Sequence, residues 1–436
     1  MSSLEPSPPA ATSEPRSNLT RLRSLQALGM FCGFAAGAWL GAAEAPIKLV
    51  NPEISPITIS LVMVCGVFLA RWSVPALVRG TAHIRSDVAQ APHLVVWAIL
   101  AGCMWAVANT LTIYAIRNVG LSIAFPLWNT NSLLGIFWGF LLFKELHAAG
   151  WKRWFGVIGG ALCMFGGATL LAVASSHSAA PGKAALGISA ALGAGILWGT
   201  MYIPYRKAYL TGMNPLSFIT FFTVGELVTM LTLALSYRGA APLWHELSGA
   251  RALLFWLMLG GFIWVIGDLF QQYATKYVGI SRGIPLSNTN QLWGLLWGVL
   301  VFHELRGGSR ITYEEVVGGS ILMALGAVAI ALSSATEDEH SSWKDAALRE
   351  GQRYGVEDEY VRAGIEGRSY ATTESGRSAF DWLLIVAATT LFAFLAVISK
   401  PPQIEISFGW AAVLTVIMFT LMAACGVALW RTTRFR

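Results

Sequence analysis

The chain is 436 residues long, 55% hydrophobic and only 12% charged, with a mean hydropathy of +0.58. A soluble protein carries about 25% charged residues, so this composition excludes one. The net charge of +6 implies no nucleic-acid partner, because the basic residues sort by membrane side.

Residues 1–23 are rich in Pro and Ser and read as a disordered tail. Apolar runs of about 20 residues, each able to cross a bilayer roughly 30 Å thick, follow at 25–43, 55–77, 93–115, 119–143, 153–175, 186–206, 215–236, 252–274, 279–302, 314–333, 382–399 and 408–430. The expected fold class is an all-α polytopic membrane protein in the lipid bilayer. "GAAEAP" after the first run resembles a signal-peptidase site, but a tail precedes that run and a partner for it recurs later, so it reads as an uncleaved helix. Residues 24–176 and 186–333 hold five spans each, with a linker at 177–185. The charged 334–380 stretch reads as a solvated linker that can form a short helix. Residues 381–430 add two spans and 431–436 a basic tail. Cys32, Cys65, Cys103, Cys163 and Cys425 lie inside apolar runs at no metal-ligand spacing and read as small buried hydrophobes.

Lys and Arg are retained on the cytoplasmic side. With the N-terminus inside, 22 of them fall inside, Arg71, Arg206, Lys276 and Arg282 among them, and 8 outside. Both termini are therefore expected in the cytoplasm of a cell-membrane protein.

The fourth span of each half carries one sentence written twice. "FPLWNTNSLLGIFWGFLLFKEL" runs from Phe125 to Leu146 and "IPLSNTNQLWGLLWGVLVFHEL" from Ile284 to Leu305. Asn129 and Asn288, Pro126 and Pro285, Gly135 and Gly294, and Glu145 and Glu304 all keep an offset of 159 residues. The first spans align too, Gly41 with Gly199 and Pro46 with Pro204. Such a period is too long for a solenoid and indicates a duplicated half-protein. An odd number of spans per copy inserts the second copy upside down, which is a transporter signature.

The third spans, "AGCMWAVANTLTIYAIRNVGLS" from Ala101 and "GGFIWVIGDLFQQYATKYVGIS" from Gly260, complete the pattern. With the Gly-x-x-Trp-x-x-x-Asn opening, the Val-Gly-(Leu/Ile)-Ser hinge and the Gly-x-x-x-Phe-x-Glu-Leu ending of the next span, residues 25–333 resemble the glucose/ribose porter group of the drug/metabolite transporter superfamily. Relatives of that group include L-rhamnose–proton symporters and ureide permeases. The resemblance implies a ten-helix bundle with a central cavity lined by the first, third and fourth helices of each repeat. Residues 334–436 depart from it.

Polar groups within a span are costly against lipid and usually face inward. Asn129, Thr130, Asn131, Asn288, Thr289, Asn290 and Gln291 are the first candidates for a hydroxyl-rich neutral solute, because amides both donate and accept. Pro126 and Pro285 kink the helix just before them. The competing role is interhelical packing, and three consecutive residues cannot all face one way. Trp105 and Trp264, at matched mid-span positions, can stack on a sugar ring, and Asn109 lies beside them. Trp128, Trp293, Trp198 and Tyr202 rank lower. Gly135, Gly139, Gly294 and Gly298 read as helix-packing positions. Among the acids only Asp268 and Glu226 lie well inside spans. Asp268 replaces the amide of Asn109 and Glu226 opposes Val67, so both break the repeat symmetry. They are the proton-coupling candidates, Asp268 first. Their alternative role is a structural bond or a pair with Arg206 or Lys207. Glu145 and Glu304 read as caps of the following helices.

No HExxH, GxSxG or P-loop is present, so neither an enzyme nor a cofactor or metal site is expected. The expected function is a secondary transporter moving a small neutral, sugar-like solute by alternating access with protons. The alternatives are a permease or exporter of another polar metabolite (a base, a ureide or an amino acid) and a transporter-like sensor.

Overall fold

A computed structural model describes residues 14–43, 45–48, 54–119, 127–147, 149–175, 184–303, 309–333, 335–368, 377–400 and 405–435. Every regular element among them is helical: α1 (Glu14–Ala42), α2 (Ala45–Lys48), α3 (Pro56–Val78), α4 (Ala82–Gln90), α5 (His93–Val119), α6 (Thr130–Phe143), α7 (Gly150–Ser175), α8 (Ala184–Leu210), α9 (Pro215–Arg238), α10 (Ala240–Gly249), α11 (Leu254–Val278), α12 (Ile280–Ser287), α13 (Asn290–Leu296), α14 (Arg310–Leu332), α15 (Glu337–Arg353), α16 (Asp358–Ile365), α17 (Ala379–Ile398) and α18 (Phe408–Thr433). Ten of these are long and apolar enough to cross a membrane: α1, α3, α5, α7, α8, α9, α11, α14, α17 and α18. The protein is a polytopic, all-helical membrane protein.

Three expectations change. The tail expected to be disordered contributes its last ten residues to α1, which begins at Glu14; residues 1–13 lie outside the described residues. The fourth spans are not unbroken crossings. In the first half α6 has 14 residues; in the second the run divides into α12, α13 and a π-turn at Trp297–Val301. The 334–380 stretch is no solvated linker. Residues 337–365 form α15 and α16, which bury Trp343, Ala347, Val361 and Tyr360. Glu339 on α15 is fully buried, pairs with Arg282 through both carboxylate oxygens (2.8 and 3.0 Å) and accepts the Leu146 N–H at 2.9 Å.

Helix starts follow local chemistry. Ser55 and Asn214 cap α3 and α9, accepting the N–H groups of Thr58 and Leu216, and each is followed by a proline at the first helical position, where the missing N–H costs nothing. Glycines then set the packing. Gly66 of α3 lies on the Met258 carbonyl of α11, and Gly261 of α11 on the Met63 carbonyl of α3. Gly225 of α9 lies on Ile99 of α5, and Gly102 of α5 on Phe222 of α9. A side chain at any of these would collide with backbone. Thus α11 packs against α1 and α3, while α5 packs against α8 and α9. Helix α6 lies on α8, and α13 on α1. Helices α7 and α14 run antiparallel, Gly160 meeting Gly326 and Gly167 meeting Gly319. Helix α17 rests on α3 and α18 on α1. At that last contact the Trp39 indole donates to Met418 carbonyl and the thiols of Cys32 and Cys425 lie 3.4 Å apart.

Candidate functional site

The Asn-Thr-Asn triplets sit at the breaks of the fourth spans. Asn129 forms the turn before α6, and Asn288 with Thr289 separates α12 from α13. Pro285 lies inside α12 and denies the helix one N–H; Pro126 lies outside the described residues. The two threonines satisfy backbone: Thr130 donates to Leu127 carbonyl at 2.7 Å and Thr289 to Leu286 carbonyl at 2.9 Å. Each also lies against a glycine of the neighbouring first-span helix, Thr130 on Gly195 and Thr289 on Gly37. Their hydroxyls serve helix packing.

The asparagines join the two halves. Asn288 Nδ2 donates to Asn131 Oδ1 at 3.2 Å and to Ser132 Oγ at 2.5 Å. Around this seam Asn129 Nδ2, Asn290 Oδ1 and Gln291 Oε1 are buried with no partner among the described residues. An unmet polar group costs about 1–3 kcal/mol, so these three atoms each retain unused hydrogen-bonding capacity. Trp128 and Trp198 stack edge-on at 6.0 Å beside the first triplet, and the Trp198 indole N–H is also without a partner. Trp105 and Trp264 do not stand apart as two platforms: their rings meet edge-on at 5.0 Å. Asn109 donates to the Ser60 hydroxyl.

The two intramembrane acids meet on one cation. Arg71, counted among the cytoplasmic-side cations although it falls within the 55–77 run, lies inside α3 and is fully buried. Its guanidinium pairs with Asp268 at 2.8 Å and Glu226 at 3.5 Å. Gln272 Nε2 donates to Asp268 at 2.6 Å, and Gln272 Oε1 accepts the Tyr209 hydroxyl. The guanidinium also lies 4.0 Å from the Phe222 ring and 5.2 Å from that of Trp264, so the charged cluster reaches one of the two matched tryptophans. The partners expected for these acids, Arg206 and Lys207, are engaged elsewhere. Lys207 pairs with Glu350 at 2.7 Å. Arg206 pairs with Glu145 at 2.8 Å and lies under the Trp343 ring. Arg206, Lys276 and Arg282, counted like Arg71 among the cytoplasmic-side cations, are buried too.

Glu145 does not cap the following helix. Its carboxylate accepts the N–H groups of Ile280 and Ser281 (3.2 and 2.9 Å) and the Ser281 hydroxyl, capping α12 of the other half. Glu304 lies outside the described residues, as do Gly120 to Ser122 of the first hinge. Arg71 and Gln272 are what sequence reasoning missed. The signal for Arg71 was available in its repeat partner, the apolar Met230 159 positions on.

Comparison with known proteins adds the family. Over 101 residues the chain is 39% identical to a candidate sugar uptake protein of Streptococcus pyogenes serotype M1, covering 22% of this chain and 33% of that one. The chain thus spans about a third of the length of these streptococcal relatives. A candidate sugar uptake protein of Listeria innocua is 22% identical over 240 residues, 54% of this chain and 78% of that one. One solved protein structure superposes over 69% of this chain and 98% of its own with a TM-score of 0.45 and 17% identity, too distant to carry an argument. The family model described as sugar transport protein matches residues 49–174 and 190–355, and the chain belongs to that family.

Proposed function

We propose that the protein is a secondary transporter that moves a small neutral polar solute, a sugar, by alternating access around the Asn129–Asn131 and Asn288–Gln291 seam. The observation that carries this reading is the exchange symmetry of the packing. The contacts of Gly66 with Met258 and Gly102 with Phe222 recur, 159 residues on, as Gly225 with Ile99 and Gly261 with Met63, with the two partners swapped between halves. Equivalent helices α7 and α14 run antiparallel. Both facts support two inverted halves, an arrangement that offers two near-equivalent states open to opposite sides. Family membership favours a sugar. Both termini are assigned to the cytoplasm of the cell membrane.

Coupling is assigned to protons through Asp268 and Glu226. Two buried carboxylates against one guanidinium leave a net negative charge, and a charge left in such a place is expensive. One proton shared by the pair neutralises the cluster, and its release on the other side links flux to the pH gradient. The repeat partners of the three residues are Met230, Val67 and Asn109, so only one end of the pseudo-symmetric bundle can carry that proton.

Reconstitution into vesicles with a panel of labelled sugars and bases, with and without a pH gradient, tests both parts. Asp268→Asn leaves a neutral Arg71–Glu226 pair with no excess negative charge to hold the coupling proton. It should abolish pH-driven accumulation while sparing solute exchange, and unchanged accumulation would falsify the coupling assignment. Saturable uptake of a base instead of a sugar selects the permease alternative. Binding without flux selects the sensor.

A further inference from the structure

Helices α4 and α10 are the short elements that link the second long helix of each half to the third. Each is preceded by a glycine in the left-handed region, Gly80 at φ +84° and Gly239 at φ +80°, where other residues are strained. Each carries one acid that fastens it across the molecule. Asp87 on α4 accepts the Ser217 hydroxyl at 2.6 Å and the Asn214 N–H at 3.3 Å, at the start of α9. Glu246 on α10 accepts the Ser55 hydroxyl at 2.9 Å, the Thr58 hydroxyl at 2.7 Å and the Ser55 N–H, at the start of α3. Gly80 and Gly239, Asp87 and Glu246, Ser55 and Asn214, and Thr58 and Ser217 are all 159 residues apart. One fastening stands at each end of the α3–α9 pair, because α4 follows the end of α3 and α10 the end of α9.

The packing says what each fastening joins. Helix α4 leads from α3 into α5, and α5 belongs with α8 and α9. Its acid grips α9. Helix α10 leads from α9 into α11, and α11 belongs with α1 and α3. Its acid grips α3. In both copies the linking helix is riveted to the bundle it enters, and the only backbone between it and the bundle it leaves is the short turn holding the glycine. Burial adds to the hold: Asp87 is 7% exposed and also accepts the Tyr360 hydroxyl of α16 at 2.8 Å.

We infer that α4 and α10 are riveted hinge helices: Asp87 and Glu246 fix each one to the bundle it enters, and relative movement of the two bundles is taken up at Gly80 and Gly239. Hinges of this kind are a few element-terminal residues that absorb a large backbone change while the flanking elements stay rigid. The inference rests on the alternating-access reading in needing two bundles that move. The two hinges are not equal. Beside Gly80, Asp381 of α17 accepts both the N–H and the hydroxyl of Thr81 at 2.7 Å, whereas Gly239 is spanned by the exposed Arg238 of α9, which donates to Glu246 of α10 at 3.0 Å. The terminal helices thus stiffen one hinge alone.

The competing idea is a gate in which these contacts must break for a face to open, and one experiment separates the two. In the full-length chain with Cys32→Ser, the pairs Asp87→Cys with Ser217→Cys and Glu246→Cys with Thr58→Cys are oxidised with copper phenanthroline and later reduced. Sugar exchange in vesicles and deuterium uptake of residues 280–296 are measured in both forms. A riveted hinge predicts that the cross-linked and reduced forms agree to within about twofold, and that Gly80→Ala with Gly239→Ala slows exchange roughly tenfold or more. Arrest by either cross-link, or fast exchange in the double alanine variant, overturns it. If the native chain exchanges no sugar, the transport reading alone fails. Deuterium uptake still decides the hinge, since a cross-link that suppresses opening of the seam contradicts it.

Discussion

Glu145 shows how much a single buried carboxylate does here. It neutralises Arg206 and satisfies two N–H groups at the start of α12, so its loss strands a buried cation and uncaps a helix in the same step. Removing one partner of a buried pair costs about 3–5 kcal/mol, and Glu145→Ala should lose that much in detergent unfolding curves. Glu246 behaves differently because it titrates within reach. Burial pushes its carboxyl up, but hydrogen bonds from Ser55, Thr58 and Arg238 outweigh that and hold it at about 2 instead of 4.5. A lowered carboxylate stabilises the fold above its ordinary value and loses that contribution as pH falls toward the folded value. The melting-temperature gap between the native chain and Glu246→Gln should therefore be flat from pH 8 to about 5 and close between about 4.5 and 2. A gap that changes near neutrality would exclude this role.

At the scale of elements, the docked α15–α16 pair is what the charge pattern hid. Its acids and arginines resemble a solvated face. Yet Trp343, Ala347 and Glu339 fall on one side of α15, and that side lies against Arg206, Arg282 and Leu146. Tyr354 adds a stack on His93 at 3.9 Å, and Lys344 pairs with Glu366 at 2.8 Å. Glu339→Ala leaves Arg282 without its carboxylate and the Leu146 N–H without its acceptor. The variant should expose residues 337–365 to trypsin and to deuterium exchange before the long helices open. Simultaneous exposure of all segments would contradict a separately docked pair. The broken fourth spans teach a related lesson. Hydropathy reads 279–302 as one crossing because every part of it is apolar enough, while Pro285, the hydroxyl bonds of Ser287 and Thr289 to carbonyls one turn back, and the π-turn divide it.

At the scale of the molecule, the duplicated halves are alike in packing and unlike in charge. Helix contacts at Gly66, Gly102, Gly225 and Gly261 obey the repeat, whereas Arg71, Glu226 and Asp268 do not. On the proposed transport reading, symmetry would provide two states of similar energy, and the unmatched charges a reason for one to respond to protons. Sidedness follows from the same scheme. Ser341 on α15 and Ser248 on α10 are both exposed, and cysteines at the two places should react with an impermeant maleimide from opposite sides of a sealed vesicle. Labelling of both from one side would leave no inverted architecture.

Membrane residence, the two families of spans and the 159-residue correspondence were all written in the chain, because length, apolarity and repetition are local properties that no partner is needed to reveal. The same holds for the triplets and for the two acids inside spans. Which charges pair was decided only in three dimensions. Arg71 meets Asp268 across 197 positions, and Glu145 meets Ser281 across 136. One-dimensional patterns assign a cation near a span end to water, and only the packing of α3 against α11 and α9 shows it buried. The threonines of the triplets likewise look like ligands until Gly37 and Gly195 close over them. Polarity inside a membrane marks a residue that needs a partner; the identity of that partner is set by which helix faces lie within about 3 Å of it.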